Sequence, residues 1–98
     1  MTRLIIAGAA LALATAACAH QAPSGAAYPV DCCNNRDCFP VHYSAITREG
    51  DGWAVRTKDG VIRYRREHLR PAIDDGWHAC WGPGTTVPYC LIPAGGGS

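Results

Sequence analysis

The sequence predicts a small all-β fold: an antiparallel sheet or partly closed barrel of about five short strands, stabilised by disulfides. Three observations carry this. Five cysteines (Cys32, Cys33, Cys38, Cys80 and Cys90) follow an export-type leader in a chain of 98 residues. Short β-favouring runs alternate with turn clusters of glycine, proline and aspartate. One such cluster, Lys58-Asp59-Gly60, separates two of these runs, and Asp-Gly in that setting is a strong hairpin signal.

The leader comes first. Met1-Thr2-Arg3 is a short positive start, followed by an apolar run over 4–14 and small residues to Ala19. This is the order of a secretory signal, assigned to residues 1–19. The uncharged stretch 4–19 is shorter than the roughly 20 residues that span a bilayer. Ala17-Cys18-Ala19 fits small-x-small cleavage, which releases a soluble chain from His20 into the periplasm or the medium. Ala16-Ala17-Cys18 is also similar to the end of a bacterial lipobox, although Thr15 stands where a large aliphatic residue is usual. In that processing Cys18 is the lipidated first residue and the product an outer-membrane lipoprotein. The sequence leaves both open.

The chain carries 9 Lys+Arg and 8 Asp+Glu, and losing Arg3 with the leader brings it to neutrality. A neutral domain is not a general polyanion binder, and no nucleic-acid partner is expected. Residues 20–29 are small, proline-bearing and aperiodic, and read as a flexible spacer. The β domain is expected over 30–92 and a disordered tail over 93–98.

Within the domain, 44–48 can form a strand and 49–52 a turn. Segments 53–57 and 61–65 flank the hairpin. With Asp59-Gly60 as a two-residue turn, Arg56 faces Arg63 and Val55 faces Tyr64. Alternation then places Trp53, Val55, Thr57, Ile62 and Tyr64 on one face and Arg56, Arg63 and Arg65 on the other. Residues 66–70 can make one helical turn before Pro71. Segment 77–81 is a fourth strand, ended by Gly82-Pro83-Gly84. Segment 87–92 is a fifth, at an edge because of Pro88. Trp53, Trp77 and Trp81 are expected in the core of so small a domain.

Five cysteines leave one over, so two disulfides and one odd thiol are expected. A vicinal Cys32–Cys33 bond is disfavoured by ring strain. If the strands around Gly82-Pro83-Gly84 pair, Cys80 and Cys90 come within bridging distance. The favoured scheme is Cys80–Cys90 with one bond from the vicinal pair to Cys38. The pattern Cys32-Cys33-x4-Cys38-x-Pro40, then a hairpin, His78-x-Cys80, Cys90-Leu91 and Pro93 resembles a group of small exported bacterial proteins of uncharacterised function. The resemblance covers residues 28–93 and implies no activity.

Soft ligands for zinc exist in Cys32, Cys33, Cys38, Cys80, Cys90 and His78, but exported thiolates are oxidised first, so no metal is expected. No Cys-x-x-Cys occurs, which removes haem attachment and thioredoxin chemistry. His42, His68 and His78 are candidate partners for a reactive thiol, yet nothing singles one out. Asp74-Asp75 before Gly76 reads as a turn. No nucleophile elbow, phosphate loop or zincin motif is present, and neither a cofactor nor a catalytic residue is expected. Arg56, Arg63 and Arg65 form a candidate anion-binding strip toward an anionic envelope component, or a solvated sheet face partly neutralised by Glu49, Asp59 and Glu67. Membrane contact is expected only through a lipid on Cys18. The function expected is a non-catalytic structural or binding module of the envelope. The alternative is a periplasmic redox-active or metal-handling cysteine protein.

Overall fold

The computed structural model describes residues 21–33 and 37–95. The leader, Cys18 and residues 96–98 of the expected tail lie outside these. The fold is all-β, in two three-stranded antiparallel sheets. Strands β1 (Cys38–Val41), β5 (Trp77–Trp81) and β6 (Pro88–Ile92) form one sheet, with β5 in the middle. Strands β2 (Ile46–Glu49), β3 (Gly52–Thr57) and β4 (Gly60–Tyr64) form the other as a meander. Short 3-10 turns at Tyr43–Ala45 and Arg66–His68 link the layers.

The first sheet is buried on both faces. Alternation sends Ala79, Trp81 and Leu91 toward Val55, Ile62 and Tyr64 of the second sheet. It sends Cys38, Cys80, Cys90 and Ile92 the other way, against Ala22, Tyr28 and Cys32 of the N-terminal segment. Residues 21–33 are therefore a third layer, whereas the composition of 20–29 suggested a spacer. Ala22 donates its N–H to Ala26 O and receives one from Gly25 N, which turns the chain back onto the sheet. Small alanines let this backbone approach closely, and Tyr28 supplies the buried ring.

The hairpin forms, with a different turn. Lys58 and Asp59 are the loop residues, and Thr57 pairs with Gly60, Arg56 with Val61, Val55 with Ile62 and Ala54 with Arg63. The expected Arg56–Arg63 pair does not exist. The face assignment survives, because the change preserves the parity of every pair. The Thr57 hydroxyl closes this turn locally, donating to Gly60 O at 2.7 Å and accepting from Asp59 N at 3.1 Å, and further bonds come from outside the hairpin. The Asp59 carboxylate accepts from the Trp81 indole N–H at 2.8 Å and from Gly84 N at 3.0 Å. This clips the hairpin tip to the β5–β6 loop, and those bonds hold the carboxyl below its ordinary range. Gly60 takes φ +119°, which a side chain rarely adopts.

β5 occupies the expected residues, and Pro88 begins an edge strand as expected. β6 is bulged near Tyr89, since Cys80 faces Cys90 but Trp81 faces Pro88. β1 is the strand the sequence reading missed. Of the three tryptophans Trp81 is buried, while Trp53 and Trp77 are half-buried at the margin of the core.

Candidate functional site

The cysteines are the first candidates. Cys38 and Cys80 are directly opposed across β1 and β5 and are bonded to each other, with Cα atoms 4.0 Å apart. Cys90, opposite Cys80 on the other side, bonds instead to Cys32 of the N-terminal layer, at a Cα separation of 5.5 Å. The expected Cys80–Cys90 bond and the bond from the vicinal pair to Cys38 are thus both replaced. Cys80 has a cross-strand cysteine on each side, Cys38 and Cys90, and the N-terminal layer packs over all three. The odd thiol is absent too: among the described residues no cysteine is free, and Cys33 is also disulfide-bonded. The vicinal neighbours diverge, Cys32 into the core and Cys33 toward the surface. All four residues of the two described bonds are buried. Two disulfides agree with an oxidising compartment.

The basic strip keeps its face but not its expected Arg56–Arg63 pair. Arg56, Arg63 and Arg65 are all exposed on the outer face of the second sheet. Arg63 is not unopposed: its Nε donates to Glu49 Oε1 at 3.1 Å, across β3 from the opposite edge of the meander. Arg63, Arg65 and Arg66 line one surface cleft together with Glu49, Asp51 and Glu67, so that cleft has no net charge. Arg56 lies opposite Val61 and diagonal to Arg63. Of the acids expected to neutralise this face in part, Glu49 is the one bonded to Arg63.

The histidines separate clearly. His42 caps the first 3-10 turn and stacks on Tyr43. His68 Nδ1 accepts from Arg65 N at 2.9 Å. His78 is 2 % exposed, with both ring nitrogens engaged. Nδ1 meets the Tyr28 hydroxyl at 3.0 Å, and Nε2 meets Asp74 Oδ1 at 2.7 Å. With Nε2 carrying the proton, the imidazole donates to Asp74 and accepts from Tyr28. Asp74 Oδ1 also accepts from Gly76 N at 3.0 Å, and Oδ2 accepts from the Ser24 hydroxyl. The bonds from Ser24, His78 and Gly76 lower the Asp74 carboxyl to about 2. Burial, and then the Asp74 charge, raise the Tyr28 phenol to about 12.

This Ser24–Asp74–His78–Tyr28 chain has the composition of an acid–base relay and the electrostatics of a clasp. A nucleophilic phenol needs a lowered pKa and access to substrate; Tyr28 has a raised pKa and is 2 % exposed. The Ser24 hydroxyl donates to the carboxylate and does not meet the imidazole. The chain joins the N-terminal layer to the segment before β5. Sequence reasoning named His78 and Asp74 separately and missed Ser24 and Tyr28. The one available signal was a lone aromatic among small residues at position 28.

Beside the clasp lies a cleft of about 330 Å³ lined by Pro23, Pro40, Val41, Trp77 and the two carboxylates Asp74 and Asp75, with Ser24, Gly76 and His78 completing it. Among the described residues no group of three or more histidines, cysteines or acids is placed to hold a metal ion. No family model, no curated protein and no solved structure matches this chain.

Proposed function

We propose that this protein is a non-catalytic binding module of the exported compartment, held rigid by its disulfides. The observation that supports it is the placement of the four paired cysteines, all at 0–1 % exposure between the first sheet and the N-terminal layer. A redox-active pair needs a sulfur that an attacking thiolate can reach. A thiol chemistry would also need a nearby base, and His78, two residues before Cys80, already spends both nitrogens on Tyr28 and Asp74. No buried side-chain nitrogen or oxygen lacks a hydrogen-bond partner among the described residues.

The test is thiol accessibility in the exported, processed protein. Under native conditions iodoacetamide should modify none of Cys32, Cys38, Cys80 or Cys90, and a glutathione buffer should leave both bonds intact by intact-mass analysis. Reversible reduction of either bond in glutathione, or a metal ion retained through dialysis, would replace this reading with the redox or metal-handling one.

A further inference from the structure

The cleft beside the clasp combines apolar walls with a negative end. Pro23 comes from the N-terminal layer, Pro40 and Val41 from the end of β1, and Trp77 from the start of β5. Asp74 and Asp75 are its only ionisable lining groups besides His78, and no Lys or Arg lines it. Anions are therefore repelled, and a purely apolar occupant would leave two carboxylates desolvated without compensation. Asp75 is exposed and makes no ion pair among the described residues.

We propose that this cleft receives a lysine side chain of a partner polypeptide, its methylene stem along Pro40, Val41 and Trp77 and its ammonium between Asp74 and Asp75. The proposal rests on the binding-module reading. Lysine is favoured over arginine by the state of Asp74. Oδ1 already accepts two hydrogen bonds and Oδ2 one, so the carboxylate cannot present both oxygens to a planar fork. A remaining lone pair on Oδ2 suits the point donor of an ammonium, and Asp75 supplies the second acceptor. An alkyl stem on apolar walls with its charge at the carboxylates is the arrangement long cationic side chains favour, and the Trp77 ring adds a surface that attracts a cation. A polypeptide fits better than a free diamine. The rim residues Pro23, Pro40 and Asp75 are exposed, which gives the backbone carrying the lysine a surface to lie on.

The experiment is an NMR titration of the isotope-labelled full chain with end-blocked Ala-Lys-Ala. Parallel titrations use the norleucine and arginine analogues and cadaverine. The lysine peptide should shift the Trp77 indole and Asp75 signals. Affinity should fall about tenfold or more for norleucine and for Asp75→Asn, the scale of one charge-assisted hydrogen bond, and should weaken with salt. Asp75→Asn leaves the clasp untouched, so unchanged His78 signals and an unchanged melting temperature certify its fold. Equal responses to lysine and norleucine, an arginine response stronger than lysine, or no effect of Asp75→Asn would each overturn the proposal. So would a diamine that binds more tightly than the peptide, or self-association through the cleft in place of peptide binding. If the peptide fails while the disulfides stay inert to glutathione, this inference falls and the module reading stands. Labile disulfides with an intact peptide response would have the opposite meaning.

Discussion

Replacing Tyr28 by phenylalanine tests whether the N-terminal layer belongs to the fold. The substitution keeps the ring in the core and removes one hydroxyl. That hydroxyl sits 3.0 Å from His78 Nδ1, and His78 is 2 % exposed, so water cannot take its place without opening the layer. An orphaned buried acceptor costs about 1–3 kcal/mol. In a domain of this size each kcal/mol lowers the melting temperature by roughly 4–8 °C, so a cost of about 2 kcal/mol predicts a fall of roughly 8–16 °C. The matched control is Tyr43→Phe, at a side chain 71 % exposed, where the change should stay within about 0.5 kcal/mol. Urea unfolding with both disulfides intact gives the two free energies under one slope. A Tyr28→Phe cost indistinguishable from that of Tyr43→Phe would mean that the clasp does not hold this layer. The description of residues 21–33 as part of the core would then be wrong.

Three further outcomes follow from the same geometry. Asp74 has its pKa lowered to about 2, so its contribution is present above the ordinary carboxylate range and is lost as pH falls from about 4 to about 2; urea midpoints across this window should drop, and Asp74→Asn should flatten that limb. The Cys32–Cys90 and Cys38–Cys80 bonds are nested, with sequence separations of 58 and 42, so with one in place the other closes a ring of only roughly 16 residues; removing Cys32 and Cys90 together as alanines should cost about 3 kcal/mol by chemical denaturation, well short of the roughly 4 kcal/mol of an isolated loop of that length. A Cβ on Gly52 would lie 2.3 Å from the Tyr64 carbonyl oxygen, so Gly52→Ala should cost about 1–3 kcal/mol as β3 and β4 shift apart, against little change for the exposed Gly76→Ala.

The parts of the fold readable in advance were those decided locally. The limits of β5, the edge position of Pro88 and the two faces of the hairpin follow from alternation and turn chemistry within a few residues. The hairpin turn was misread because Asp59 serves partners 22 and 25 residues away, and those tertiary bonds, with the local Thr57 hydroxyl bonds, outweigh the Asp-Gly preference. β1 carries Pro40, which argues against a strand unless an edge is known to be free. The clasp was hidden by distance: Ser24 meets Asp74, and Tyr28 meets His78, each across 50 residues. The number of cysteines was legible, but their partners depend on which layer faces which sheet, and no pattern in the chain encodes that.

The Cys32–Cys90 bond also determines how the protein meets mechanical load. Its two ends lie near the limits of the described chain, with 58 residues of separation, strands β1 to β5 between them and Cys90 itself within β6. Tension applied through the segments on either side passes from one backbone to the other through a covalent sulfur bridge. About 200 Å of contour length is shielded from it, at roughly 3.4 Å per residue. A pull can strip away the residues before Cys32, breaking the Tyr28 and Ser24 contacts, and can peel Leu91 and Ile92 from β5, yet the strands enclosed by the bridge stay unloaded. Held at its N-terminal side and tugged at the other, the domain would lengthen only by the segments outside the bridge, among them the buried end of β6.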